Sequence, residues 1–239
     1  MKWIFQTLIL LTLSLSVSAQ SSKFYTTSSG ELIFSIPDLN IGEEEDGQVV
    51  RFSGFFNAQV VANFDSNPYL GFFGGLSIRN IGFIFDVPDD LREATDIQQD
   101  NDIRKKVRTY NLGVPIGIKI GKLDGFFIYG GYEIELPIHY KEKTFVNEDK
   151  KDKFNVWFSD RVDTFTHSFF VGLNFPHGTN IKFKYYVSDF FSNDYNKLMS
   201  RTNLSYKDLD VNVFYFSLSF NLFKDDKIYY IEEFSASGR

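Results

Sequence analysis

KVRTYNLGVPIGIKIGKLDGFFIYGGYEIELPIHY, residues 106–140, is the stretch whose reading decides the fold. Tyr110, Leu112, Val114, Ile116, Ile118 and Ile120 fall on one face of its first half, and Thr109, Asn111, Gly113, Pro115, Gly117 and Lys119 on the other. After a Lys122-Leu123-Asp124-Gly125 turn, Phe126, Ile128, Tyr132, Ile134, Leu136, Ile138 and Tyr140 share a face. Opposite them stand Phe127, Tyr129, Gly131, Glu133, Glu135, Pro137 and His139. Alternation with period two means strand, because successive side chains point to opposite sides of a sheet. Each arm runs roughly fifteen residues, against the five or six usual in soluble proteins. An apolar face backed by a polar one over that length is the ribbon a membrane-spanning barrel needs, with Tyr110 and Tyr140 as aromatics at the rim of the apolar band.

The rest of the chain repeats the pattern. Strands are predicted at 31–36, 49–64, 69–85, 162–175, 180–188 and 210–223, which with the two arms makes eight. In the third, Leu70, Phe72, Leu76 and Ile78 share one face, and the apolar set then changes to Ile81, Phe83 and Phe85. We read a bulge near Arg79-Asn80 there, since one extra residue flips the register. Long connectors fall at 37–48, 86–105, 141–161 and 189–209, and short ones at 65–68, 121–125 and 176–179. Long and short ends that alternate this way match an outer-membrane barrel with external loops and periplasmic turns. The fold expected is therefore all-β, an eight-stranded antiparallel up-and-down transmembrane β-barrel. Pro115 and Pro137 resist it, because both fall mid-strand and proline lacks the ladder donor.

Targeting agrees. Lys2, an apolar run from Trp3 to Val17 and Val17-Ser18-Ala19 before Gln20 have the build of a secretory signal peptide. The domain expectation is a signal peptide at 1–19, a flexible segment at 20–30, the barrel at 31–223 and a periplasmic tail at 224–239. With no cysteine, neither a lipoprotein anchor nor a disulfide framework is available. There are 25 basic and 31 acidic residues; without Lys2 the balance is 24 against 31, about −7, which argues against a nucleic-acid partner.

Gly113–Lys119 (GVPIGIK), the Gly-Gly-Tyr pattern at Gly130–Tyr132, the N-terminal signal and the aromatic final strand together resemble the small outer-membrane β-barrel proteins of Bacteroidota, the PorT-like family. The resemblance covers about 31–223. It implies location in the cell outer membrane, contact with outer-membrane lipid and, for some members, a role as an outer-membrane factor of a secretion system, with other envelope or secretion proteins as partners. The chain departs from the common barrel ending, an aromatic terminal residue, since Lys224–Arg239 follow Phe223.

The candidate site residues are charges assigned to the lumen: Arg51, Arg79, Lys119, Lys182 and Lys184 against Glu31, Glu133 and Glu135. We read them as a closed salt-bridge network rather than a selectivity or binding site, because eight strands leave room only for side chains and buried charges persist only when paired. His139 is assigned to the lumen, His167 points away from its neighbour Ser168, and His177 sits in a turn. No catalytic constellation, metal-ligand cluster or phosphate loop stands out, so no enzyme and no cofactor is expected. The acidic stretches (Glu43–Asp46; Asp86, Asp89, Asp90, Glu93, Asp96) read as solvated surface. The expected function is a structural or interaction component acting through external loops; the alternatives are a small pore or transport barrel and a lipid-modifying barrel enzyme.

Overall fold

The computed structural model describes residues 22–39, 48–224 and 229–230. Eight antiparallel strands close a ring: β1 (Lys23–Leu39), β2 (Ala58–Asn67), β3 (Leu70–Asp86), β4 (Ile103–Gly121), β5 (Phe127–Val146), β6 (Thr166–Asn174), β7 (Thr179–Tyr186) and β8 (Val211–Lys224). Each strand pairs with its chain neighbour, and β8 returns to β1 from Thr27↔Lys224 to Leu39↔Val211. The chain is an eight-stranded antiparallel barrel.

Three short turns gather at one end. In the turn after β4, Gly121 takes a positive φ of 132° and Gly125 N–H donates to the Lys122 carbonyl at 2.8 Å. The connectors after β1, β3, β5 and β7 gather at the other end. Between the ends the outward positions form a belt of exposed apolar side chains, among them Phe72, Leu76, Ile116, Ile118, Phe169, Val171, Ile181 and Phe216. Leu76 is 68% exposed. Water would penalise such a surface and lipid would not.

Several boundaries differ from those the sequence predicts. β1 begins at Lys23, so residues 23–30 belong to the barrel wall rather than to a flexible lead-in. The second strand is interrupted: Gln48–Val49 pairs with β3, Arg51–Ser53 pairs with β1, and a gap precedes Ala58. The connector expected at 141–161 is largely strand, because β5 runs on to Val146 and turns back as Asp149–Trp157. Tyr229–Tyr230 pairs with Lys23 and Phe24, so this part of the tail extends a ladder. The signal peptide, Glu43–Asp46 and residues 231–239 lie outside the described residues.

There is no bulge at Arg79-Asn80. The β3–β4 register runs unbroken from Ser77↔Gly113 to Asp86↔Arg104, and Ile81, Phe83 and Phe85 face inward like Ser77 and Arg79. What changes is the surroundings. Beyond the belt the outward neighbours become Arg104, Lys106 and Arg108, so the apolar residues turn into the barrel's core. The register shift lies instead between β4 and β5, where Tyr110↔His139 is followed by Asn111↔Pro137. The extra residue, Ile138, puts Tyr140 inside, buried in that core, and turns His139 outward against Trp157, with ring centroids 4.7 Å apart. Both proline problems resolve here: Pro137 sits at the bulge, and Pro115 falls where the β3–β4 ladder breaks between Gly74↔Ile116 and Ser77↔Gly113.

Candidate functional site

The lumen is filled in three layers. The middle one contains Glu31 from β1, Arg79 from β3, Glu133 and Glu135 from β5, and Lys182 and Lys184 from β7, three acids against three bases. All six side chains are almost completely inaccessible to water. Period-two alternation puts them there, since each occupies the inward parity of its strand. Arg79 is bound to Glu31 and donates to Gln59 Oε1 at 2.9 Å and Glu133 Oε2 at 3.2 Å. Lys184 Nζ lies 2.6 Å from Glu133 Oε2 and also binds Glu135, while Lys182 Nζ lies 2.7 Å from Glu31 Oε1. The remaining acceptor sites are satisfied by neutral donors: Asn111 Nδ2 to Glu135 at 2.7 Å, Tyr186 Oη to the same carboxylate at 2.9 Å, Ser77 to Glu133 and Ser217 to Glu31. A Cβ on Gly113 would come within 2.5 Å of Glu133 Oε1, so that glycine makes room for the carboxylate. Removing six charges from water is expensive, and the arrangement offsets the expense only because every charge meets its opposite.

Lys119 belongs to a separate layer at the short-turn end. Its Nζ lies 2.5 Å from Asp65 Oδ1 and donates to Asn63 and Tyr25 at 3.1 Å each, on the wall of a cavity of about 350 Å³ that also meets Tyr129 and Asn221.

The third layer, at the long-loop end, is an apolar core invisible to the lumen assignment made from sequence. The connector between β7 and β8 folds into the barrel and inserts Phe190, Phe191, Met199, Leu204, Tyr206 and Leu209 among Ile81, Phe83, Phe85, Val107, Tyr140 and Val213. Phe83 and Phe190 meet edge to face at 5.0 Å. A second polar knot ties this plug to the wall. Lys105 Nζ donates to Thr144 at 2.9 Å and to the Ser200 carbonyl at 2.5 Å, and lies 3.2 Å from Glu142; Tyr140 and Tyr206 donate to the same Glu142 at 2.8 and 2.5 Å. Arg161 closes the structure from above, its guanidinium 4.3 Å from the centroid of Phe154, 4.8 Å from Tyr195 and 5.3 Å from Tyr206.

Of the residues assigned to the lumen from sequence, Glu31, Arg79, Glu133, Glu135, Lys182 and Lys184 come together, and Lys119 sits apart as described. Arg51 does not join them. It lies in the seam left by the interrupted second strand, donating to the Asn80 carbonyl at 3.1 Å and Asn80 Oδ1 at 2.6 Å, and it lines a groove on the outer face. The acids Asp86, Asp89 and Asp96 are engaged by Arg104, Arg92 and Arg201. Among the described residues no cluster of acids or histidines could hold a metal ion. His167 turns outward to Tyr132 while Ser168 turns inward.

No family model matches the sequence, and no curated protein does. Among solved structures the chain is similar to the attachment invasion locus protein Ail of Yersinia pestis in complex with the heparin analogue sucrose octasulfate. That match has 14% identity, 84% of this chain and 96% of that one covered, and a TM-score of 0.34. It is similar also to Neisserial surface protein A, with 9% identity, 82% and 94% coverage and a TM-score of 0.36. The outer membrane protein OprG of Pseudomonas aeruginosa follows with 10% identity, 84% and 96% coverage and a TM-score of 0.25. At such TM-scores the likeness carries no argument, and the fold rests on the closed ladder of the chain itself.

Proposed function

We propose that the protein is an outer-membrane barrel, with both termini in the periplasm, that works by presenting its long-loop end to other molecules rather than by passing solutes. The observation that carries this reading is the sealed lumen: a neutralised charge layer beneath an apolar plug leaves Arg79, Lys184 and Tyr215 at most 1% exposed. The belt of exposed apolar side chains supports the membrane setting. The long-loop end supports the interaction role. There, among the described residues, the Asp149–Trp157 strand pairs with β5 alone and on one edge, and Phe154, Trp157 and Phe158 stand exposed. An unpaired edge flanked by exposed aromatics is a template for a partner's strand. The secretion-component role implied by the PorT-like resemblance is one form this interaction takes.

Planar-bilayer recording of the refolded protein tests the reading. We expect no steady conductance. Reproducible currents on the scale of a general porin would overturn it in favour of a pore. Affinity purification from native membranes, with the Asp149–Trp157 strand present or deleted, then identifies what the outer end holds.

A further inference from the structure

On the outer wall, just beyond the belt, cations face one another across the sheet. Lys106 stands directly opposite Lys143, and Arg108 directly opposite Lys141, across the β4–β5 ladder; Lys143 in turn stands opposite Lys153. Directly opposed like charges destabilise a sheet. Nothing among the described residues compensates them, for none of these five takes part in an ion pair and the nearby Asp86 is held by Arg104 at 2.6 Å.

Arg51 completes the set. It is 3% exposed, it lines the same groove of about 430 Å³ as Lys106, Arg108, Lys141 and Lys143, and its buried Nε has no hydrogen-bond partner among the described residues. The lower wall of the groove is aromatic: Phe56 packs edge to face on Tyr110 at 5.7 Å, and Phe55 is 80% exposed. Arg108 is held 4.8 Å above the Tyr110 ring. Convergent arginine and lysine donors match a phosphate, by fork geometry for the former and as point charges for the latter. Exposed aromatics at the edge of an apolar belt mark headgroup depth.

We propose that this groove binds the phosphate-bearing headgroup of a lipid in the leaflet at the long-loop end, with the lipid's chains lying on the belt below. The assignment rests on the membrane reading given above. A soluble anion would explain the cations but not the aromatic wall beside the belt.

The test uses the barrel folded in zwitterionic micelles, with folding verified by the heat-modifiable gel shift. Trp157, which packs edge to face on His139 beside Tyr110, serves as fluorescent reporter. Phosphatidic acid is titrated against phosphatidylcholine of the same chains, and against inorganic phosphate. We expect saturable binding of phosphatidic acid alone, weakened at least about tenfold by Arg108→Gln with Lys143→Gln. Lys197→Gln with Lys207→Gln, elsewhere on the long-loop end, should leave it unchanged. Equal binding of the two lipids, an unaffected Arg108/Lys143 variant, or inorganic phosphate binding as tightly as the lipid would each overturn the site while leaving the barrel intact. So would a requirement to neutralise Glu43, Glu44, Glu45 and Asp46 first, since the chain's own acids would then be the counter-charge. Absence of the gel shift in the unmodified protein would overturn the site and the membrane reading together.

Discussion

Glu133 shows how much rests on single inward positions. It meets Arg79, Lys184 and Ser77 at once, so removing its carboxylate leaves three buried cations facing only Glu31 and Glu135. Glu133→Ala should cost about 3–5 kcal/mol, read from urea titrations in micelles; a loss below about 1 kcal/mol would mean that water reaches the network. Parity makes a second prediction. Phe216, outward and 51% exposed near the middle of β8, should cost roughly 2–4 kcal/mol of insertion when changed to Arg. Asn221 opens onto the cavity at the short-turn end, so Asn221→Arg should fold within about 1 kcal/mol of the unmodified chain; comparable loss in both variants would contradict the assigned faces. Ser217 is not the tolerant inward control that alternation alone suggests, because its hydroxyl is bound to Glu31 in the packed charge layer. The network was legible in the sequence because period two is unambiguous within an unbroken strand. Arg51 was not, since its parity holds but its own strand is interrupted on both sides, and a missing ladder leaves no mark in alternation.

At the scale of elements, β3 teaches the same lesson in reverse. Its apolar residues change parity after Ile78, and a shift of register is one way to produce that; a change of solvent outside the wall is the other, and it is the one found. Both give the same string of letters. They differ in whether the outward positions turn charged, as Arg104, Lys106 and Arg108 do on the strand alongside. The plug was harder to foresee. Phe190, Phe191, Met199 and Tyr206 are scattered through a connector without periodicity, so their burial is decided by the concave core they meet and not by spacing. Phe191 is 1% exposed and packs against Phe83, Phe190 and Tyr206. Phe191→Ala should therefore cost about 3–5 kcal/mol, measured by thermal or urea unfolding. The lumen of that variant should stay closed in bilayer recordings, because the ion pairs of the charge layer are made without Phe191. Currents in that variant alone would show that the plug, not the network, is the seal.

For the whole molecule, the closing contact between β1 and β8 sets how the barrel comes into being. Ser217 binds Glu31 across 186 positions of chain, while every other ring ladder joins neighbours in sequence. Contacts that distant form late, since the entropy of gathering the intervening chain is lost before the contact gives anything back. Until the last strand arrives, β1 offers a row of unsatisfied backbone donors and acceptors along most of its length, and so does β7. A nascent chain cut short before Val211 would be left with both rows open, and the species most exposed to misassembly is therefore the one that lacks only its final strand.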